Sequence, residues 1–352
     1  MTPLHFAFVA CNRNAARFGE DPSFIYRCKN MAAALKAAGH HVSLFHLSTF
    51  PLRKRFDAVI FHRPRRTLRF HLNLHSYKQL NSQCVLAADV DDLIFDETFA
   101  EFSPGVINNL VSLTKTRKDY QANRLALNEF DLITVSTAPL AEHVTNTFPA
   151  ARVVILPNAV PLMWRKAEEA ALPIEKEPIL TYFPGTRSHD RDFAGIVEPL
   201  ARFLAKYPQS RLQVTGPLHF DLAARPGQIL QVKKVPFDVY STLFRKAWVN
   251  LAPLQSTPFN RCKSALKVLE AGYWQVPTVC SSIPDTERFI DAGAFLATTP
   301  DAWFDQLESL LDPERYRRVT EKLRERVLKL ADVALSAERL LQVVLDARTR
   351  KR

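Results

Sequence analysis

The sequence predicts two doubly wound α/β domains in tandem. Short apolar runs alternate with stretches of helical periodicity, the pattern expected of strands joined by helical crossovers in a mostly parallel sheet. The series occurs twice, on either side of a polar, proline-bearing stretch at residues 165–178 that reads as a linker. A chain of 352 residues is long enough to close two separate cores.

Taken in order, residues 4–9 form the first apolar run and end in a polar loop at residues 10–22. Residues 24–38 carry helical periodicity closed by Gly39, and a second strand follows at 42–47. Further strands are expected at 57–61, 84–88, 132–135 and 153–156. The second series places strands at 179–183, 211–215, 249–252, 278–281 and 294–297, with apolar-faced helices between them such as residues 193–205. After Asp312-Pro313 the chain reads as helical, with Tyr316, Val319, Leu323 and Val327 on one face, a last helix over 335–345, and a frayed basic tail at 348–352. The expected division is a first domain over 1–163, a second over 176–330, and a C-terminal helix with its tail over 331–352.

Apolar residues make up 47% of the chain and charged residues 24%, the balance of a folded globular protein. No run of about 18 apolar residues is present and residues 4–9 enter a strand directly, so the expected location is the cytoplasm. The five cysteines are scattered, without Cys-x-x-Cys spacing, and read as free thiols. The net charge of +11 favours an anionic partner, and its densest segment, residues 51–70, sets seven basic side chains around one apolar strand. That segment reads either as a solvated face or as a patch for an acidic acceptor or the inner face of an anionic membrane. No Gly-x-Gly-x-x-Gly follows the first strand and no Gly-x-x-x-x-Gly-Lys-Ser/Thr loop occurs, which argues against a dinucleotide oxidoreductase and an ATPase. No basic recognition helix or stacking motif supports nucleic-acid binding.

Three stretches carry candidate chemistry. Residues 258–272 read as a polar loop opening a helix that ends on Glu270 and Gly272. Helix amides and the ammonium groups of Lys263 and Lys267 gather at its start, where a phosphate would be held, and Ser264 either caps that helix or meets the ligand. Residues 182–193 contain Gly185, which permits a tight turn after a strand, followed by Arg187, His189 and Arg191. Arg187 serves either a phosphate or a salt bridge to Asp190 or Asp192. In the first domain Asp89, Asp91 and Asp92 follow an apolar strand, at the carboxyl end where a parallel sheet meets its ligands. His62 ends another strand there, and Arg27 and Asn158 lie in segments aimed at the same crevice. The Asp89-x-Asp91 spacing would suit a hard divalent cation, although the tandem-domain pattern argues against a metal.

The segment 258–272, with the glycine-containing loop at 182–193, resembles the nucleotide-sugar site of GT-B fold glycosyltransferases, especially the retaining group 1 type that makes bacterial polysaccharides. The resemblance implies two Rossmann-like domains around a cleft, a last helix that returns to the first domain, and closure by domain rotation. It implies a nucleotide-sugar donor as co-substrate without a further cofactor, and a surface-glycan or lipid-linked acceptor. Glu270 would hold the donor ribose, and His62 would lie near the donor sugar. Gly185, Arg187, Lys263 and Ser264 would surround the phosphates, and Asp91 or Asp92 would orient the acceptor hydroxyl. The family pattern sets another glutamate eight residues before Glu270, where this chain has Cys262. The alternative reading is a nonenzymatic basic protein that binds nucleic acid or an anionic lipid surface.

Overall fold

The computed structural model describes residues 2–165 and 177–351, so the linker expected at 165–178 lies largely outside the described residues. Two six-stranded sheets form the molecule. The first contains β1 (His5–Ala10), β2 (His41–His46), β3 (Ala58–His62), β4 (Val85–Val90), β5 (Leu132–Val135) and β6 (Arg152–Ile155), in the order β2-β1-β3-β4-β5-β6. The second contains β7 (Ile179–Tyr182), β8 (Arg211–Thr215), β9 (Ile229–Val232), β10 (Val249–Ala252), β11 (Thr278–Ser281) and β12 (Ala294–Ala297), in the order β12-β11-β10-β7-β8-β9. Every pairing is parallel. In each sheet the strand order reverses beside the first strand, between β1 and β3 and between β7 and β10, and such switch points are where open α/β sheets bind ligands.

Both faces of each sheet are covered, which is why the central strands are apolar on both sides. In β1, Phe6, Phe8 and Ala10 pack with Phe24, Met31 and Leu35, whereas Ala7 and Val9 face Phe61, Phe70 and Phe130. The second sheet divides likewise between a cluster around Trp164, Phe244 and Tyr273 and another around Phe193, Phe203 and Trp303.

Four local expectations change. Strand β9 has no continuous apolar run because it is the edge strand, with Leu230 and Gln231 exposed. The helix expected at 24–38 is interrupted: Ile25–Lys29 forms a π-helical turn before the α-helix Asn30–Ala37. Gly272 does not end its helix, which runs Leu266–Tyr273; the left-handed residue that follows is Gln275, with φ 58°. The C-terminal helix spans Val333–Lys351, so residues 348–351 are helical rather than frayed, and Arg348 pairs with Asp57. That helix buries Val333, Ala337, Leu340, Val343 and Val344 against the first domain. Among the described residues no helix is long and apolar enough to cross a membrane.

Candidate active site

The carboxyl ends of strands from both sheets border one cavity of about 220 Å³ between the domains. Ser23, Tyr26, Asp91, Asp92 and Asn158 approach it from the first domain, and His189, Leu254, Lys263, Ser264 and Lys267 from the second.

On the first-domain wall a hydrogen-bonded chain begins at the end of β3. His62, 2% exposed, places Nδ1 2.9 Å from Asp89 Oδ2 and Nε2 2.9 Å from Ser23 Oγ, and Ser23 donates to Asp91 Oδ2 at 2.6 Å. Asp21 accepts from the Ser23 backbone N–H at 2.9 Å, fixing that hydroxyl at the start of its helical turn. Asp89 also accepts from Arg27, through Nη2 at 2.6 Å and Nε at 3.1 Å, and from Thr134 Oγ1 at 2.7 Å. Burial pushes the Asp89 carboxyl up, but Arg27 and His62 outweigh it and bring it down to about 2. Arg63, held at φ 48°, donates to Asp91 Oδ1 and Asp92 Oδ2 at 2.6 Å each. Burial raises the Asp91 carboxyl, yet Arg63 and His62 hold it well below the usual carboxylate range. Arg27, read from the sequence as aimed at the crevice, is instead buried and committed to Asp89 and the Leu156 carbonyl.

The second-domain wall is built on a helix break. Thr257 caps the short helix Pro258–Arg261, the backbone leaves helical geometry around Lys263 and Ser264, and helix Leu266–Tyr273 then begins. Lys263 therefore sits in the break rather than in a first turn. Ser264 caps nothing: its Oγ accepts from Asn158 Nδ2 at 2.8 Å, while Asp285 Oδ2 takes the Ala265 N–H at 2.7 Å. Lys263 Nζ is 3.5 Å from Asp92 Oδ1 across the cavity and 5.1 Å from the centre of the Phe259 ring. Burial pushes the Lys267 ammonium below its usual value, with Glu270 opposing, and among the described residues no carboxylate forms a salt bridge with it. Glu270, 4% exposed, lies behind this wall and accepts from Tyr26 Oη through Oε1 and from Tyr240 Oη through Oε2, the latter at 2.8 Å. Burial pushes its carboxyl up to about 7 against the two phenols and Lys267.

Gly185 follows β7 at φ 75°, a conformation that favours glycine. The exposed Arg187 guanidinium pairs with Asp190 at 3.2 Å and does not line the cavity. His189 does line it, with Nδ1 2.8 Å from Asp192 Oδ2; burial brings its imidazole down to about 4 against that hydrogen bond, with Lys267 and Lys263 adding to the shift. Cys262 packs with Phe259 inside the first domain's apolar core, where burial pushes the thiol up to about 12. The side chain where the family pattern has a glutamate thus seals the interdomain contact rather than facing the cavity.

The structure brings Asp91, Asp92, Lys263 and Ser264 into one cavity, sets His62 one hydrogen bond behind it, and leaves Arg187 outside its lining. Ser23 and Tyr240 escape sequence reasoning, and Asp192, read from the sequence as a partner for Arg187, instead holds His189. A lone serine or tyrosine carries no spacing signal, and only the Asp21-Pro22-Ser23 cap signature marks the first of them.

No family model matches the sequence, and no curated protein does. Solved structures do resemble it. The chain is similar over 97% of its length to all of an alpha-glucosyltransferase in complex with UDP and a 13-mer DNA containing a HMU base, at 12% identity and a TM-score of 0.66. A glycosyltransferase from Rickettsia africae ESF-5 is similar over 99% of both chains, at 10% identity and a TM-score of 0.60. S. aureus MnaA in complex with UDP is similar over 96% of this chain and 95% of that one, at 13% identity and a TM-score of 0.55. The fold is GT-B: two Rossmann-like domains face each other across a cleft, and the chain closes with a long helix.

Proposed function

We propose that this chain is a retaining, metal-independent glycosyltransferase that moves a sugar, hexose-like in kind, from a nucleoside-diphosphate donor to a bacterial surface-glycan or lipid-linked acceptor. The observation that carries the reading is one cavity between two Rossmann-like domains with cations on one wall and carboxylates on the other. Lys263, Lys267 and the backbone of the helix break form the cationic wall, suited to the charge that builds on a departing phosphate. Glu270 binds the ribose hydroxyls once its phenolic partners yield. Asp91 and Asp92 orient the acceptor hydroxyl, with Ser23 linking Asp91 to His62. Arg63 donates to both carboxylates and holds Asp91 in its ionised form, an acceptor for that hydroxyl. Gly185 and Arg187 contribute the outer edge of the phosphate site.

A thermal-shift panel of UDP, GDP, dTDP, CMP and ADP, with their sugar conjugates, tests this. A ligand of the folded state raises its melting temperature by mass action. Stabilisation by one nucleotide, absent in Lys263→Ala and Glu270→Ala, is the expected result. A flat response to every nucleotide would count against a donor site.

A second reading for the acceptor is a nucleic acid, favoured by the +11 charge and by the DNA in the alpha-glucosyltransferase structure. The lipid-linked reading is favoured by the helix Leu68–Leu80, which exposes Leu68 at 76% and Leu72 at 54% in the same stretch as the exposed Arg66 and Arg69.

A further inference from the structure

Three residues of the second-domain wall are each engaged by a side chain of the first domain. Glu270 accepts from Tyr26, Ser264 accepts from Asn158, and Lys263 faces Asp92. Each partner presents the chemistry that a donor would bring to the same place. The Tyr26 hydroxyl donates to a carboxylate as a ribose hydroxyl does, the Asp92 carboxylate sets an anionic oxygen beside an ammonium as a phosphate does, and the Asn158 amide donates to the serine as a polar donor group can.

We propose that Tyr26, with Asn158 and Asp92, forms an internal stand-in for the nucleotide donor, so that donor binding has to displace first-domain side chains from Glu270, Ser264 and Lys263. The proposal rests on the donor-site reading of the cleft. An independent observation supports it: the cavity of about 220 Å³ falls below the roughly 300–1,000 Å³ usual for small-molecule sites, and Glu270 lies outside its lining. A ribose reaches the Glu270 carboxylate only where a phenol bonded to it gives way.

The contact at Tyr26 is rigidly presented. Its π-helical turn Ile25–Lys29 is fixed on one side by the Arg27–Asp89 pair and on the other by Asn30, which donates to the Val160 carbonyl at 3.0 Å and accepts from the Leu162 N–H at 2.7 Å. The ring stands edge-on to Phe237, 5.5 Å between centres. Such turns recur at functional sites because they re-aim one side chain of a helix. Here the re-aimed hydroxyl meets the carboxylate of the opposite domain.

Tyr26→Phe separates this role from a structural one, because the two readings predict different signs. Losing the interdomain hydrogen bond lowers the ligand-free melting temperature, while removing a competitor raises nucleotide affinity, on the order of tenfold for a bond to a charged group. Calorimetric titration of the wild type and Tyr26→Phe with UDP, GDP, dTDP, CDP and ADP reads affinity, and small-angle scattering of the ligand-free proteins reads the opening of the cleft. Asn158→Ala, which breaks the contact to Ser264 and leaves Tyr26 in place, is expected to move in the same direction. Unchanged or weaker binding by Tyr26→Phe, with the wild type binding a nucleotide, overturns the stand-in alone. Binding of no nucleotide by either protein overturns the donor-site reading and the stand-in with it.

Discussion

Glu270 shows how burial turns an ordinary carboxylate into a group that titrates near neutrality. The phenols of Tyr26 and Tyr240 and the Lys267 ammonium each favour the ionised form, against a larger desolvation effect that leaves the carboxyl at about 7. The folded state therefore holds a proton at pH values where the unfolded chain has released it. The stability this contributes is fully present below the ordinary value of 4.5 and is lost as pH rises through about 7. The melting temperature of the wild type, taken relative to that of Glu270→Gln, is expected to decline between pH 4.5 and 8. Under the donor-site reading, nucleotide affinity runs the other way, rising with pH as the carboxylate becomes free to accept from ribose hydroxyls. A difference between the two proteins that stays constant across this range would show that Glu270 does not titrate there.

At the scale of elements, the helix Leu266–Tyr273 is positioned by close approach rather than by a cap. A Cβ on Gly272 would lie 2.7 Å from Val327 Cγ2 and 3.5 Å from the Ala292 carbonyl oxygen, so the helix Leu323–Ala331 packs directly against its backbone. Gly272→Ala is expected to cost about 1–3 kcal/mol, the range for overpacking a filled core, read as a lower denaturant midpoint at unchanged slope. Sequence reading took this glycine for a helix terminus because glycine is common just past helix ends. The element it makes room for is more than fifty residues further along the chain, and no local pattern announces that contact. The break around Lys263 and Ser264 escapes for a related reason. Asp285, from the short helix Pro284–Glu287 after β11, takes the N–H of Ala265 that a local cap would otherwise satisfy.

For the whole molecule, charge and fold together frame the question of the acceptor. The net charge of +11 is unevenly spent: Arg63 and Arg65 of the basic segment pair with Asp91, Asp92 and Asp119, while Arg53, Arg55 and Arg69 remain exposed, as do Leu68 and Leu72 of helix Leu68–Leu80. If that surface meets lipid, co-sedimentation with vesicles containing anionic phosphatidylglycerol should exceed that with phosphatidylcholine alone, weaken with salt, and be lost in Leu68→Asp/Leu72→Asp. Preferential retention by duplex DNA, unaffected by the leucine changes, would favour the nucleic-acid acceptor instead.

By itself the sequence determined the two sheets. Strands buried on both faces must be apolar nearly throughout, and helices that cover them must carry an apolar stripe, so β1, β3–β5, β7 and β10–β12 are legible as short apolar runs, and the more polar β2, β6 and β8 by their place in the alternation. It also set the carboxylates Asp91 and Asp92 just past a strand end and Lys263 at the start of a helix, where the structure has a break between two helices. Only the tertiary structure decided which side chains the cleft pairs. It gave Arg27 to Asp89, Arg187 to Asp190 and Tyr26 to Glu270, drew Cys262 into the first domain's core, and joined Ser23 to His62. Those pairings depend on desolvation and on distances between segments as many as 244 residues apart, as for Tyr26 and Glu270, and neither quantity has a period that the chain can display.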